Sequence, residues 1–264
     1  MINKAAAIDY VGRIPLAGNS LRRIARFYRE GSVVKIRSGA LAGCHWRRSH
    51  RYVNGYWLGI YELPIQNCLV RELRPGDVFY DIGANAGFFT LLGSKCVGDQ
   101  GGVFAFEPLP ENISSIRAQL QLNDVPNCTV VEAAVSNRES IVEFSSGNDT
   151  STAHIQSMKQ GERAGEVFSV RAVALDQFTE EFPSPDFIKM DIEGAELAAL
   201  NGARELLGGP RPPKILIEFH SEQLREECVS MLAGFGYSFY SLDGGPLGTK
   251  TQTRHALCIP QLKE

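Results

Sequence analysis

Acids stand in this chain where apolar runs stop abruptly. In VFYDIGANAGFFTLL, residues 78–92, Asp81 is followed by Gly83 and Gly87, with Ala84, Asn85 and Ala86 between them. A strand that feeds a helix through such a turn presents helix N-terminal N–H groups to a ligand. The pattern is D-x-G-x-x-x-G. It departs from the dinucleotide fingerprint G-x-G-x-x-G, because position 85 is Asn. An acid opening the turn would repel a pyrophosphate and suit a ligand with a positive end, such as an amino group or a sulfonium. Gly83 permits the sharp turn, and Gly87 lets the helix come near the ligand or the strand.

The next apolar run, GVFAF, ends at Glu107. An acid at that place can accept both hydroxyl hydrogens of a ribose. Asp81 and Glu107 together would grip the two ends of one molecule, and S-adenosylmethionine has both ends. Each acid alone could simply favour a helix N-terminus; it is the pair at this spacing that points to the cofactor. A second group follows in FIKMDIEGAE, with Asp191, Glu193 and Glu196, and in KILIEFH, with Glu218 and His220. Ligands of open parallel sheets bind beyond the carboxyl ends of the strands, so Asp191 is expected to face the same crevice as Asp81. Crowded carboxylates raise one another's pKa values or hold a cation. His220 is the expected general base, with Asp191 as the alternative and Glu193 beside them. A divalent metal on Asp191, Glu193 and Glu218 is an alternative that i, i+2 spacing supports only weakly, and no metal is predicted. His45, His50, His154 and His255 have no acid or Cys at metal spacing and receive no role.

The elements that must position these residues alternate. Apolar runs at 78–83, 102–108, 128–136, 168–175, 187–194 and 214–220 read as strands, with amphipathic stretches as helices between most of them. IVEFSSG reads as a shorter strand, and polar residues 147–165 as a mobile loop. Two terminal runs, SFYSLD and HALCIPQ, have no helix between them and should pair as a hairpin, one antiparallel to the rest. Strands alternating with helices predict a mainly parallel sheet covered on both faces. Upstream, residues 20–30 read as a short basic amphipathic helix, 33–62 as two to four short antiparallel strands, and about 63–73 as a helix stopped by Pro75-Gly76.

Composition sets bounds. The 264 residues are 44% hydrophobic with net charge −3, enough for one sizeable core and no field demanding a nucleic acid. Eleven of the 27 Lys and Arg but only two of the 30 acids fall within residues 1–51, a basic arm on an acidic body. The apolar positions Leu21 to Tyr28 leave open a homodimer through that arm. Six scattered cysteines form no CxxC pair, which suggests reduced thiols and a cytoplasmic protein. No apolar leader and no membrane span are read. The three N-x-S/T triplets at Asn112, Asn127 and Asn148 are read as chance.

VFYDIGANAGFFT, FEPLPEN, FIKMDIEGAE and ILIEFH together resemble the FkbM family of S-adenosylmethionine-dependent methyltransferases, over about residues 60–260. The resemblance implies an α/β class I methyltransferase (Rossmann-like) fold over the domain 60–264, with a seven-stranded, mainly parallel sheet whose last strand is antiparallel. Residues 1–59, which match the family less clearly, are expected to add a small N-terminal helix and β addition. It implies a methyl acceptor bearing a hydroxyl: a small molecule, a sugar or glycolipid, or a polyketide-type natural product. It also implies cofactor contacts from Asp81, Gly83, Ala84, Asn85 and Gly87 at the methionine end, Glu107 at the ribose, Ala133 and Ala134 at the adenine, and Asp191 between cofactor and acceptor. Asn148, Asp149 and Glu218 are the expected acceptor contacts. A nicotinamide-dependent oxidoreductase and a catalytically inactive cofactor-binding partner protein are the rival readings; the failed fingerprint speaks against the first, and the second acidic group against the other.

Overall fold

The computed structural model describes residues 28–52, 55–146, 153–155, 167–248 and 250–261. The expected basic helix falls almost wholly outside these, as do Asn148 and Asp149. The chain begins with two three-residue strands, β1 (Val33–Lys35) and β2 (His45–Arg47), paired antiparallel. A 3-10 turn (Tyr56–Leu58) leads to α1 (Leu63–Glu72). Then follow β3 (Val78–Ile82), α2 (Phe88–Val97), β4 (Gly102–Phe106), α3 (Pro110–Leu122) and β5 (Cys128–Val131). The second half runs β10 (Phe187–Met190), α5 (Glu196–Asn201), α6 (Arg204–Gly208), β11 (Lys214–Glu218), α7 (Glu222–Gly234), β12 (Tyr237–Tyr240), β13 (Pro246–Leu247) and β14 (His255–Pro260). Between the halves lie β6 (Ala134–Val135), β7 (Ser140–Ser146), β8 (Ala153–Ile155), β9 (Val167–Val173) and α4 (Leu175–Glu181).

The main sheet has the order β13-β12-β14-β11-β10-β3-β4-β5. β5, β4, β3, β10 and β11 are parallel, whereas β14 enters antiparallel between β11 and β12. The seven expected strands are present with the last one reversed, and the two-residue β13 adds an eighth at the edge. Helices cover both faces, so the central strands are apolar throughout: all four residues of β10 and the last four of β3 are buried. After β3 the chain builds outward through β4 and β5. It then returns to place β10 on the other side of β3. That reversal opens a crevice at the carboxyl ends of β3 and β10.

Three local readings change. The run 128–136 is not one strand: β5 ends at Val131, and β6 joins a separate four-stranded sheet, β6-β9-β7-β8. The strands expected at 140–146 and 168–175 belong to that sheet as well. The single helix expected over 194–207 is broken between α5 and α6 at Gly202, where a Cβ would lie 2.2 Å from the Ser136 carbonyl oxygen. The described part of the first 59 residues has no core of its own. Ile36, Leu41, Trp46 and Tyr56 are buried in one cluster with Leu69, Phe79 and Phe88. All six cysteines are free thiols, and no helix among the described residues is long and apolar enough to cross a membrane.

Candidate active site

The glycine turn is shaped by a close approach of backbones. β3 and β10 pair in register, Asp81 opposite Lys189. Just beyond, Gly83 has φ +79°, and a Cβ there would sit 1.9 Å from the Asp191 carbonyl oxygen. Only glycine tolerates both demands. Asn85 follows with φ 50°, a left-handed conformation that Asn adopts more readily than most side chains. Gly87, φ +89°, packs its Cα against the Ile116 backbone of α3, where a Cβ would be 3.1 Å from Ile116 Cα.

These approaches leave a cavity at the crevice. Its wall includes Gly83, Asn85, Glu107, Ala133, Ala134 and Asp191, with Glu193 at one side. Glu107 is 4% exposed, and its two oxygens accept the backbone N–H groups of Asn85 (2.8 Å) and Leu109 (2.9 Å). Burial pushes its carboxyl up to about 7, against the pull of those two N–H groups and the Asn112 side chain. Asn85 Oδ1 is buried without a hydrogen-bond partner, an acceptor open to a ligand's donor. A recessed carboxylate, an amide oxygen and two alanines make a cavity with acceptor chemistry at the end of β4 and small apolar walls beyond β5.

Asp81 stands elsewhere. It is fully buried and is not part of the cavity wall. It accepts a hydrogen bond from Thr90 Oγ1 (2.6 Å) and lies 3.4 Å from Lys189 Nζ. Lys189 also donates to the Gly83 carbonyl oxygen (3.1 Å) and sits 3.9 Å from Asp191. Burial favours the neutral amine, but Asp81, Asp191 and Glu62 outweigh it and hold Lys189 above its ordinary value. The expected direct grip of Asp81 on a cationic ligand end therefore competes with an ion pair to Lys189 inside the protein. Ala84, 4% exposed, packs with Ile116 and Leu120. Ala84 and Gly87 shape the turn from behind the cavity.

His220 is the hub of the second group. Its Nδ1 lies 2.8 Å from Glu196 Oε1, and its Nε2 lies 3.2 Å from Glu193, 3.5 Å from Asp191 and 4.0 Å from Glu218. Burial alone would lower its pKa; Glu196 first, then Glu193 and Asp191, raise it to about 9. Glu196, Glu193 and Asp191 thus favour the charged ring, which has no lone pair for a hydroxyl proton, over the neutral base expected from the sequence. Burial, relieved by Lys189 and reinforced by Glu218, raises Asp191 above the usual carboxylate range. Asp191, Glu193 and His220 each offer one donor atom within 4.8 Å of the others, a spacing that could hold a divalent cation. Glu218, expected at the acceptor, is engaged by Arg254 and by His255 Nε2 at 3.1 Å. Burial opposes ionisation, yet His255, Arg254 and His220 pull it down to about 2.

Lys189, His255 and Glu62 escaped the sequence reading. Lys189 carried a signal: a single cation inside the apolar run FIKM. His255 carried none, since it meets Glu218 only through the β11–β14 register. Glu62 stands just before the helix expected from about residue 63, and nothing in its local sequence marked it.

Residues 81–239 match the family model described as the methyltransferase FkbM domain. Among curated proteins, the chain is 24% identical over 176 residues to the hexuronic acid methyltransferase AglP of Haloferax volcanii, covering 65% of this chain and 68% of the relative. It is 26% identical over 211 residues to the 31-O-demethyl-FK506 methyltransferase FkbM of Streptomyces tacrolimicus, covering 67% and 80%. Among solved structures, a methyltransferase FkbM from Methylobacillus flagellatus KT aligns with TM-score 0.49 and 19% identity over 79% of this chain, which spans about half (52%) of that longer protein.

Proposed function

The chain belongs to the methyltransferase FkbM domain family, and from that premise we propose that it transfers a methyl group from S-adenosylmethionine to a hydroxyl oxygen. The carrying observation is Glu107: a carboxylate fixed by two backbone N–H groups at the wall of the cavity beyond β4. Its remaining lone pairs suit the two hydroxyl hydrogens of a ribose. Asn85 Oδ1 would accept from the ammonium of the methionine part, Ala133 and Ala134 would border the adenine, and Gly83 would let the chain backbone close on the cofactor. Asp191 would stand between cofactor and acceptor. When bound, S-adenosylmethionine supplies an electrophilic methyl group and becomes a neutral thioether after transfer.

The chain's own work is alignment and charge. Holding an acceptor oxygen in line with the methyl group can contribute about 7–11 kcal/mol in favourable cases. Lys189 and His220 keep the surrounding carboxylates in place, so the site's negative charge is spent on orientation. The acceptor is a small molecule or glycan with a free hydroxyl. Two similar proteins named for a hexuronic acid and for 31-O-demethyl-FK506 support that class. No nucleic acid is assigned, and pairing of two copies through the basic arm remains part of the proposal.

Calorimetric titration with S-adenosylmethionine, S-adenosylhomocysteine and a nicotinamide dinucleotide tests this. The expected result is binding of the first two and silence with the third. The reverse would sink the reading.

A further inference from the structure

We propose that Glu62 is a catalytic residue of this chain: its carboxylate faces the acceptor and takes the hydroxyl proton during methyl transfer. This rests on the function proposed above. The attacking oxygen bonds to the methyl carbon, the carbon–sulfur bond breaks with its electron pair returning to sulfur, and the proton passes to Glu62 and then to solvent.

The position is built for a purpose other than starting a helix. Glu62 precedes α1 with φ 42° and ψ 54°, and its side chain makes no cap hydrogen bond. Its Oε2 is buried with no hydrogen-bond partner, while the residue keeps part of its surface open. A buried carboxylate oxygen left unmade in this way is costly unless a partner arrives. The backbone on both sides is locked. Gln66, fully buried, donates to the carbonyl oxygens of Gly59 (3.1 Å) and Tyr61 (2.5 Å) and accepts from Ala40 N–H (3.2 Å). The Tyr61 ring packs edge-on against Tyr56 and Phe88. The left-handed turn is held from outside, as strained positions at functional sites are.

Packing ties this position to the site: the Tyr61 ring lies 5.7 Å from the Phe89 ring, Lys189 Nζ sits 5.4 Å from that same ring, and the residue after Tyr61 is Glu62. Lys189 of β10, Asp191 just beyond it, Glu218 of β11 and His255 of β14 all act on it electrostatically. Asp191 is itself part of the cavity wall. The other candidates are occupied: His220 has carboxylates at both ring nitrogens, Glu218 is held by Arg254 and His255, and Asp191 lies between Lys189 and His220. Burial first, then Asp191 and Glu218, push Glu62 up to about 7, against Lys189 and His255. A base serves best with a pKa near the working pH.

Carboxyl-13C glutamate labelling, with the resonance assigned by its loss in Glu62→Gln, gives the test. With S-adenosylhomocysteine bound, Glu62 should titrate near pH 7. With S-adenosylmethionine, whose extra methyl carries a positive sulfur, the midpoint should fall by about one unit or more, as for a close opposite charge. Equal midpoints in the two complexes overturn the proposal. Failure of both ligands to bind in calorimetry instead removes the methyltransferase reading and this one with it. With the methyl glycoside of D-glucuronic acid as acceptor probe, Glu62→Gln should lose about 10²-fold or more in kcat while its S-adenosylmethionine Kd stays within about twofold. An unchanged kcat overturns it. Thermal melts at pH 8 check the fold: Glu62→Gln should be at least as stable as wild type, because the raised carboxyl costs stability once pH exceeds its folded value.

Discussion

Glu107 and His220 show how position sets the work of a titratable group. Both are drawn out of water, but Glu107 meets neutral N–H donors and His220 meets carboxylates. Glu107 must be ionised to accept two hydroxyl hydrogens. Cofactor affinity should therefore weaken as pH falls through about 7, and Glu107→Gln should remove that dependence along with most of the binding. A pH series of calorimetric titrations checks both; a flat wild-type profile would refute the ribose assignment. For His220 the folded value of about 9 exceeds the ordinary 6.5. Its stabilisation is present below about pH 6.5 and is lost as pH rises through about 9. The melting temperature should fall across that upper range, and His220→Gln should flatten the fall.

At the scale of elements, the junction of β3 with β10 carries the site. Lys189 sits buried between Asp81 and Asp191 on adjacent strands. Lys189→Met leaves those carboxylates uncompensated and should cost about 3–5 kcal/mol, read by urea unfolding. The turn itself can be probed by contrast. Gly98 has φ +64° with nothing within 4 Å of an added Cβ, whereas at Gly83 that atom would meet the Asp191 carbonyl at 1.9 Å. Gly98→Ala should cost about 1–3 kcal/mol, the conformational penalty alone, because φ +64° with ψ −171° is a region kept almost wholly for glycine. Gly83→Ala should cost clearly more and disturb the cavity. Equal losses at the two positions would mean that the β3–β10 approach is soft.

Across the whole molecule, the order of the sheet decides which distant residues meet. β14 lies inside the sheet, between β11 and β12, although it is last in the chain. It brings Arg254 and His255 to Glu218. Removing residues 250–264 would take out an interior strand and expose both neighbours, so the truncated chain should fail to give a cooperative thermal transition; a sharp melt near the wild-type temperature would contradict this. The described part of the N-terminal addition packs on the same body. Trp46 and Tyr56 pack on Phe88 at the first turn of α2, which couples the segment bearing Glu62 to the turn that follows β3.

What the sequence determined by itself was local in origin. Alternation of apolar runs with amphipathic stretches specified a parallel sheet under helices, because each element must bury its own apolar face. The pairing of Asp81 with Gly83 and Gly87, and of a strand with Glu107 at its end, marked the carboxyl edge where the cavity lies. What only the tertiary structure decided were the partners of each charge. Strand register set Lys189 beside Asp81. Helix packing set Glu196, 24 residues away, against His220 Nδ1. Electrostatic roles depend on distance and burial, and both are set by strand order and helix packing rather than by separation along the chain.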